Sequence, residues 1–484
     1  MEVAEDFTDL IRSVNSGVLI NGQWQDGEGA FSVLDKYTLQ PLLEVSRAGR
    51  EQVARAVSVA KEAVDRGAPS PRERAAILRK AAELMDKYRP NFQAVMMAEG
   101  GFTIHDIQAE FARAKVTLEL SAEEAVRMTG SMVPFQASPG AEKKIGFTIR
   151  VPIGVVAAIT PFNAPLNTVL HKVAPAFAAG NSVVLKPSAL TPLTSALLAR
   201  ILLEAGMPPA FLAVVQGSGD DVGTWLLEEQ DVAFYTFTGS TRVGRIIQQA
   251  AGIRRSQMEL GSIASTIVCA DADLDQAIPK IANAAFRKAG QVCTSIQRLY
   301  VHESLKDELI ERLARQVETM PAGNPRHEET RVGPMISERA AQQAESWIAE
   351  AIDAGARLVR GGERKGAVVQ PAILTDVPNP CSIWKQEVFS PMVSVRPFST
   401  FDEVVRSAND TPYGLAAGLF TNNHAHIMEA VRSLRFGTVH VNETSSARCD
   451  VMPFGGVKDS GFGKEGPGYA ALEMTEERLI VFNQ

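Results

Sequence analysis

The sequence predicts an α/β protein built on two parallel-sheet domains, and three observations predict it. Short apolar strands alternate with helical stretches from about Gly154 onward, the alternation runs in two successive series, and 484 residues at about 150 per domain allow about three folded units. In βαβ units, ligands collect at the carboxyl ends of the strands. Lys plus Arg number 49 against 56 Asp plus Glu, a net charge of −7 that argues against a nucleic-acid surface or a polybasic membrane tether. The longest apolar window, Ile153 to Leu170, is broken by Pro161 and Pro165 and is a poor membrane span. The acidic, amphipathic start lacks the regions of a secretory signal, so export is not expected. Cys269, Cys293, Cys381 and Cys449 form neither a CxxC pair nor a zinc spacing. No metal is expected, and the thiols read as free in a reducing cytoplasm.

Taken in order, a short β-like stretch around Gly17 to Trp24 leads into a helix over Glu51 to Arg66, where Val53, Val57, Ala60 and Val64 recur at helical spacing. Ser70-Pro71-Arg72-Glu73 is a capping box with proline at the first helical position; the helix it opens is expected to end at Pro90. A third helix is predicted from about Thr103 to Met128, then a loop from Gly130 to Gly140. The first αβ series comprises strand Gly154 to Ile159, helix Leu166 to Ala179, strand Ser182 to Lys186, helix Pro192 to Ala205, and strands Ala213 to Gln216 and Val232 to Phe237. The second begins with strand Ser265 to Cys269 and helices near Leu274 to Phe286 and Leu305 to Met320. Further strands follow toward Val439.

Several turns after strands carry chemistry. Gly217-Ser218-Gly219, with Gly223 beyond, lacks the spacing of a dinucleotide fingerprint and reads chiefly as a tight turn. Phe237-Thr238-Gly239-Ser240 opens a helix whose N-terminus suits a pyrophosphate, with Ser240 as a plain cap the equal alternative. Lys186-Pro187-Ser188 closes a buried strand at a switch point, where a lysine donates to ribose or phosphate or is simply solvated. Gly290-Gln291-Val292-Cys293 puts a thiol on a loop; a buried core cysteine is the bland alternative. Glu259, before Leu260-Gly261, is a general-base candidate or a solvated strand end. Asn163, between Pro161 and Pro165, is a turn former or a fixed amide for an oxyanion.

In this order and spacing the motifs resemble the aldehyde dehydrogenase superfamily over nearly the whole chain. Ile159-Thr160-Pro161-Phe162-Asn163-Ala164-Pro165, Val184-Leu185-Lys186-Pro187-Ser188, Phe237-Thr238-Gly239-Ser240, Glu259-Leu260-Gly261 and Gly290-Gln291-Val292-Cys293 carry the likeness. So do Gln386-Glu387-Val388-Phe389-Ser390-Pro391, Asn409 to Gly414 and Pro453-Phe454-Gly455-Gly456-Val457-Lys458-Asp459-Ser460-Gly461. The tail of the stretch from Glu443 to Arg448, with Met452-Pro453-Phe454-Gly455-Gly456, is similar to phosphonoacetaldehyde and lactaldehyde dehydrogenases.

The resemblance implies two doubly wound α/β domains and a small β oligomerisation projection. A Rossmann-like cofactor domain would span residues 1–126 and 147–258, a catalytic domain 259–464, and the projection 127–146 and 465–484. It implies oxidation of a small aldehyde by NAD or NADP, with Cys293 as nucleophile attacking as a thiolate, Asn163 as oxyanion donor and Glu259 as base for thioester hydrolysis. Thr160, Pro161, Lys186, Ser188, Gly239, Ser240, Glu387 and Phe389 would hold the cofactor. Two departures stand out. Ala189 replaces the glutamate of many NAD-preferring relatives, so NADP should be tolerated, and Phe162 replaces a commoner tryptophan.

Arg113, His171 and Arg448 fall in segments that line the substrate tunnel, where they could pair with an anionic aldehyde; a small neutral aldehyde is the rival, and Val292 stands where several anion-binding relatives have arginine. A homodimer or homotetramer is implied. A coenzyme A-acylating enzyme is the alternative, disfavoured by Glu259, and a non-catalytic protein on the same fold is the more distant one.

Overall fold

The computed structural model describes residues 2–483; Met1 and Gln484, the outer limits of the expected domain ranges, lie outside the described residues. Two mainly parallel sheets form the body. The first has eight strands in the order Gln23–Gln25, Val18–Ile20, Leu212–Val214, Ser182–Lys186, Val155–Ile159, Val232–Thr238, Arg255–Glu259 and Gly461–Phe462. The five from Leu212–Val214 to Arg255–Glu259 run parallel, and the outer pairings are antiparallel. The second sheet has seven, in the order Arg357–Arg360, Ala372–Thr375, Met392–Phe398, Ile296–His302, Ala264–Val268, Ala416–Phe420 and Thr438–Val441. Val155–Ile159, Ser182–Lys186 and Ala264–Val268 are buried at every position. That is why they read as unbroken apolar runs rather than alternating ones, since helices cover both faces of a parallel sheet.

Register brings the strand ends together. Ile159 pairs with Lys186 and with Phe237, and Thr238 pairs with Glu259. Thr160, Lys186, Thr238 and Glu259 therefore share one edge of the first sheet.

Four features differ from the sequence reading. Pro90 lies in the first turn of a further helix, Arg89–Gly100, rather than closing the preceding Pro71–Lys87 helix. A proline costs nothing where the N–H has no helical partner. The strand expected over Ala213 to Gln216 is Leu212–Val214. The projecting sheet, Thr475–Asn483 against Lys144–Pro152 against Met132–Val133, extends past residue 146, and the helix Pro467–Glu473 packs on Ile104–Arg127 and Asn167–Ala178 instead of joining it. The antiparallel strand Gly461–Phe462, within the expected catalytic range, closes the edge of the first sheet.

Candidate active site

A cavity of about 1160 Å³ is lined from both sheets. On its wall lie Thr160, Pro161, Asn163, Lys186, Ser188, Gly239, Ser240, Glu259, Cys293, Glu387 and Phe389, together with Arg113 and Arg448. His171 is not on that wall; it is 1% exposed behind Asp450.

Cys293 sits on the loop between the helix Leu274–Phe286 and the strand Ile296–His302, half-buried and facing the cavity. Gly290 makes that loop possible. Its φ is 67°, and a Cβ there would lie 2.1 Å from the Ser390 carbonyl oxygen. The amide of Asn163 donates through Nδ2 to the Gln291 carbonyl at 2.8 Å, which fixes its plane beside the same loop. Glu259 ends its strand with both carboxyl oxygens buried and without a hydrogen-bond partner, and its carbonyl accepts from Gly239 N–H at 3.0 Å. Gly455 leaves room for it, since a Cβ there would meet Oε1 at 2.7 Å.

Behind Glu259 lies a buried charge cluster. Glu465 pairs with Lys172 at 3.0 Å and with Arg448 at 2.7 Å, and Lys172 also donates to Thr236 Oγ1 at 3.1 Å. Burial pushes the Glu259 carboxyl well up and the charge of Glu465 adds to it, with Lys172 and Arg448 working the other way. Glu465, buried as well, is held low by those two cations. Burial pushes the Cys293 thiol up to about 12; Arg448 favours the thiolate, and Glu259, Glu387 and Glu465 oppose it. Attack as a thiolate therefore requires that the sulfur give up its proton against that burial.

One end of the cavity is made of strand and helix ends. Lys186 is buried, donates to the Pro187 carbonyl at 3.2 Å, and is lowered to about 8 by that burial. Ser240 caps the helix Thr241–Ala251 by accepting from Val243 N–H. Ser218, Gly219 and Asp220 of the glycine-rich turn also reach the wall. Glu387 accepts from Ser262 N–H at 2.9 Å, and burial raises its carboxyl to about 7. Phe389 meets Phe162 edge to face, centroids 5.8 Å apart. A dinucleotide suits this set: a helix N-terminus for phosphates, a buried ammonium and a half-buried carboxylate for hydroxyls, and aromatic faces for a flat ring.

The other end is a set of ion pairs. Arg113 grips Asp450 with Nε at 3.0 Å and a terminal nitrogen at 2.7 Å, while His171 and Asn167 reach the same carboxylate at 2.9 Å. Lys288 pairs with Glu110. Arg287 differs. Its guanidinium donates to the Ser446 carbonyl at 3.2 Å and hydroxyl at 2.7 Å, and no carboxylate within salt-bridge distance is found among the described residues. Sequence reading missed Arg287, Lys172, Glu465 and Asp450. Arg287 alone left a signal, as a charge six residues before the cysteine at the end of an apolar helix.

The aldehyde dehydrogenase family model matches residues 24–480. The chain belongs to the aldehyde dehydrogenase family. It is 46% identical over 476 residues to the 3-sulfolactaldehyde dehydrogenase of Priestia megaterium, covering 98% of this chain and 100% of that protein. It is 33% identical to the lactaldehyde dehydrogenase of Methanocaldococcus jannaschii, covering 96% and 100%. The crystal structure of betaine aldehyde dehydrogenase from Staphylococcus aureus in complex with NAD+ superposes with a TM-score of 0.95 at 28% identity, covering 100% and 98%. This aldehyde dehydrogenase is an enzyme that oxidises a small aldehyde with NAD or NADP.

Proposed function

We propose that this aldehyde dehydrogenase acts on a short aldehyde bearing an anionic group, a sulfonate or carboxylate, and releases the carboxylic acid. The observation that carries the reading is Arg287, a cation on the cavity wall without a carboxylate, in a region where Arg113, Arg448 and Lys288 are each already paired. A guanidinium with spare donors takes a planar or trigonal oxyanion well. The similarity to a 3-sulfolactaldehyde dehydrogenase supports it. The anchoring role expected of Arg113, His171 and Arg448 passes to Arg287, because their charges are spent on Asp450 and Glu465.

The chemistry follows from the residues in place. Cys293 Sγ adds to the carbonyl carbon, the thiol proton leaves to solvent, and the new oxyanion is met by the free N–H of the Asn163 amide and the backbone N–H of Cys293. When bound, NAD or NADP supplies the two-electron oxidant that turns this thiohemiacetal into a thioester. Glu259, its basicity raised by burial, then takes a proton from water; the hydroxide adds, the C–S bond breaks, and the thiol is restored. Lys186, Ser188, Ser240, Gly239, Thr160 and Pro161 would hold the adenosine and phosphate portion, and Glu387 and Phe389 the nicotinamide portion. Ala189 puts no carboxylate on the wall beside Ser188, which favours acceptance of a 2′-phosphate.

An oligomer is part of the reading. The strand Thr475–Asn483 is a free sheet edge that exposes Leu479, Val481 and Phe482, a surface suited to a second copy. No helix among the described residues is long and apolar enough to cross a membrane, and with four unbridged thiols we place the enzyme in the cytoplasm.

The test compares sulfonated, carboxylated and neutral aldehydes of matched length with both cofactors, with and without coenzyme A. We expect kcat/KM for the charged substrates at least about 10-fold above the neutral one, no requirement for coenzyme A, and no turnover by Cys293→Ala. Equal kcat/KM for charged and neutral aldehydes would overturn the anionic reading.

A further inference from the structure

The turn Arg287–Gly290, just before the nucleophile, holds two non-glycine residues in the left-handed region, Lys288 at φ 51° and Ala289 at φ 53°. Such a conformation costs about 1 kcal/mol or more per residue and persists only where the surroundings enforce it. It turns the Lys288 side chain inward. The stem lies buried, with the ammonium 4.5 Å from the centroid of the Phe102 ring.

Its hydrogen bonds are with the oxyanion turn. Lys288 Nζ donates to the main-chain carbonyl of Asn163 at 2.8 Å and to Glu110. The other oxygen of Glu110 accepts Leu166 N–H at 2.9 Å and Asn167 N–H at 3.1 Å, capping the helix that follows the same turn. A closed ring results. The Asn163 side-chain amide donates to the Gln291 carbonyl, Gln291 N–H donates to the Lys288 carbonyl at 3.0 Å, and Lys288 returns to the Asn163 main chain. Asn163 is therefore held at both its main chain and its side chain by the loop that carries the nucleophile.

We infer that Lys288, braced by Glu110, is a positioning residue that locks the Asn163 amide against the nucleophile loop, so that its second N–H points to where the oxyanion forms. This rests on the catalytic roles proposed above for Asn163 and Cys293. An oxyanion donor works only within about 2.7–3.1 Å of the developing charge. A misplacement of about 1 Å costs about 100-fold in rate. An apolar side chain at 288 would fill the space yet leave the Asn163 carbonyl without its donor and the turn free to drift.

The test separates positioning from folding. Lys288→Met together with Glu110→Gln removes the ion pair without stranding a buried charge, and Lys288→Arg keeps it. For the double variant we expect kcat to fall about 10- to 100-fold, with the aldehyde KM within about 3-fold of the parent. Alkylation of Cys293 by iodoacetamide should proceed at the parental rate, because that displacement develops no oxyanion. Lys288→Arg should recover kcat to within about 5-fold. Parental kcat in the double variant, or alkylation falling in step with turnover, would overturn the inference. Full turnover by Cys293→Ala would instead overturn the reading of the site itself, so the two failures are distinguishable.

Discussion

A carboxylate on the cavity wall and one behind that wall are shifted in opposite directions. Glu387, at the cofactor end, accepts a hydrogen bond from the backbone of Ser262 and is raised to about 7. Asp450, off the cavity wall behind Arg113, is buried, yet Arg113 and His171 drive it far below the usual carboxylate range. The cofactor end thus consists of strand ends and helix termini with single groups left ready for a ligand. The substrate end consists of charges that satisfy one another, with Arg287 left over. One end is shaped by local chain geometry; the other is assembled by long-range pairing, and its specificity lies in whichever charge the pairing leaves free.

The largest effect is expected where the two ends meet. Glu259→Gln keeps the shape but cannot take a proton from water, so steady-state turnover should fall about 100- to 10,000-fold. A single-turnover burst of reduced cofactor should survive, because the thioester forms before that step. Loss of the burst together with turnover would show that Glu259 serves the first step as well.

Breaking a substrate-end pair should cost stability as well as activity. Asp450→Asn leaves Arg113 and His171 without their carboxylate, and about 3 kcal/mol of unfolding free energy should be lost, read from denaturant midpoints. The sign with pH follows from the lowered pKa. The contribution of the Asp450 charge is fully present above the unfolded value near 4 and declines as pH falls below it toward the folded pKa, so the gap between parent and variant should narrow below about pH 4. A gap that kept widening below about pH 4 would contradict the pairing.

Arg287→Met probes the charge that is left over. Removing a charge-assisted contact of about 1.5–3 kcal/mol should raise KM for anionic aldehydes about 10- to 100-fold, leave neutral ones unchanged, and shift the thermal midpoint little. Arg113→Met should differ in kind, losing stability without this substrate dependence. If the two variants exchanged phenotypes, the division between paired and free cations would be wrong.

The same contrast explains what the sequence could disclose. Thr160, Lys186, Ser240 and Glu259 end or follow strands whose apolar runs were readable, so the chain position of each residue already placed it at the ligand-facing edge of the sheet. Arg113 and Asp450 are separated by 337 positions, Lys172 and Glu465 by 293, and Lys288 and Glu110 by 178. No periodicity links such partners, so Arg113, His171 and Arg448 read as available when each is already engaged by a carboxylate. The helix Arg89–Gly100 escaped notice for a local reason, because Pro90 ends one helix or begins the next with equal ease.

The smallest effect tests the cofactor end on its own terms. A carboxyl raised to about 7 is largely neutral at pH 6 and largely ionised at pH 8, and the ionised form is the better acceptor for a ribose hydroxyl. The KM for cofactor should therefore fall about 3-fold as pH rises through about 7 and be flat in Glu387→Gln across that range, with the aldehyde KM following neither trend. Asp450, held low by the Arg113 guanidinium and the His171 ring, can show no such response between those pH values. A pH-dependent cofactor KM that persisted in Glu387→Gln would mean that another group, Lys186 at about 8 being the nearest in pKa, sets cofactor affinity. Its sign would be the reverse, because an ammonium loses its charge as pH rises and would weaken binding rather than strengthen it.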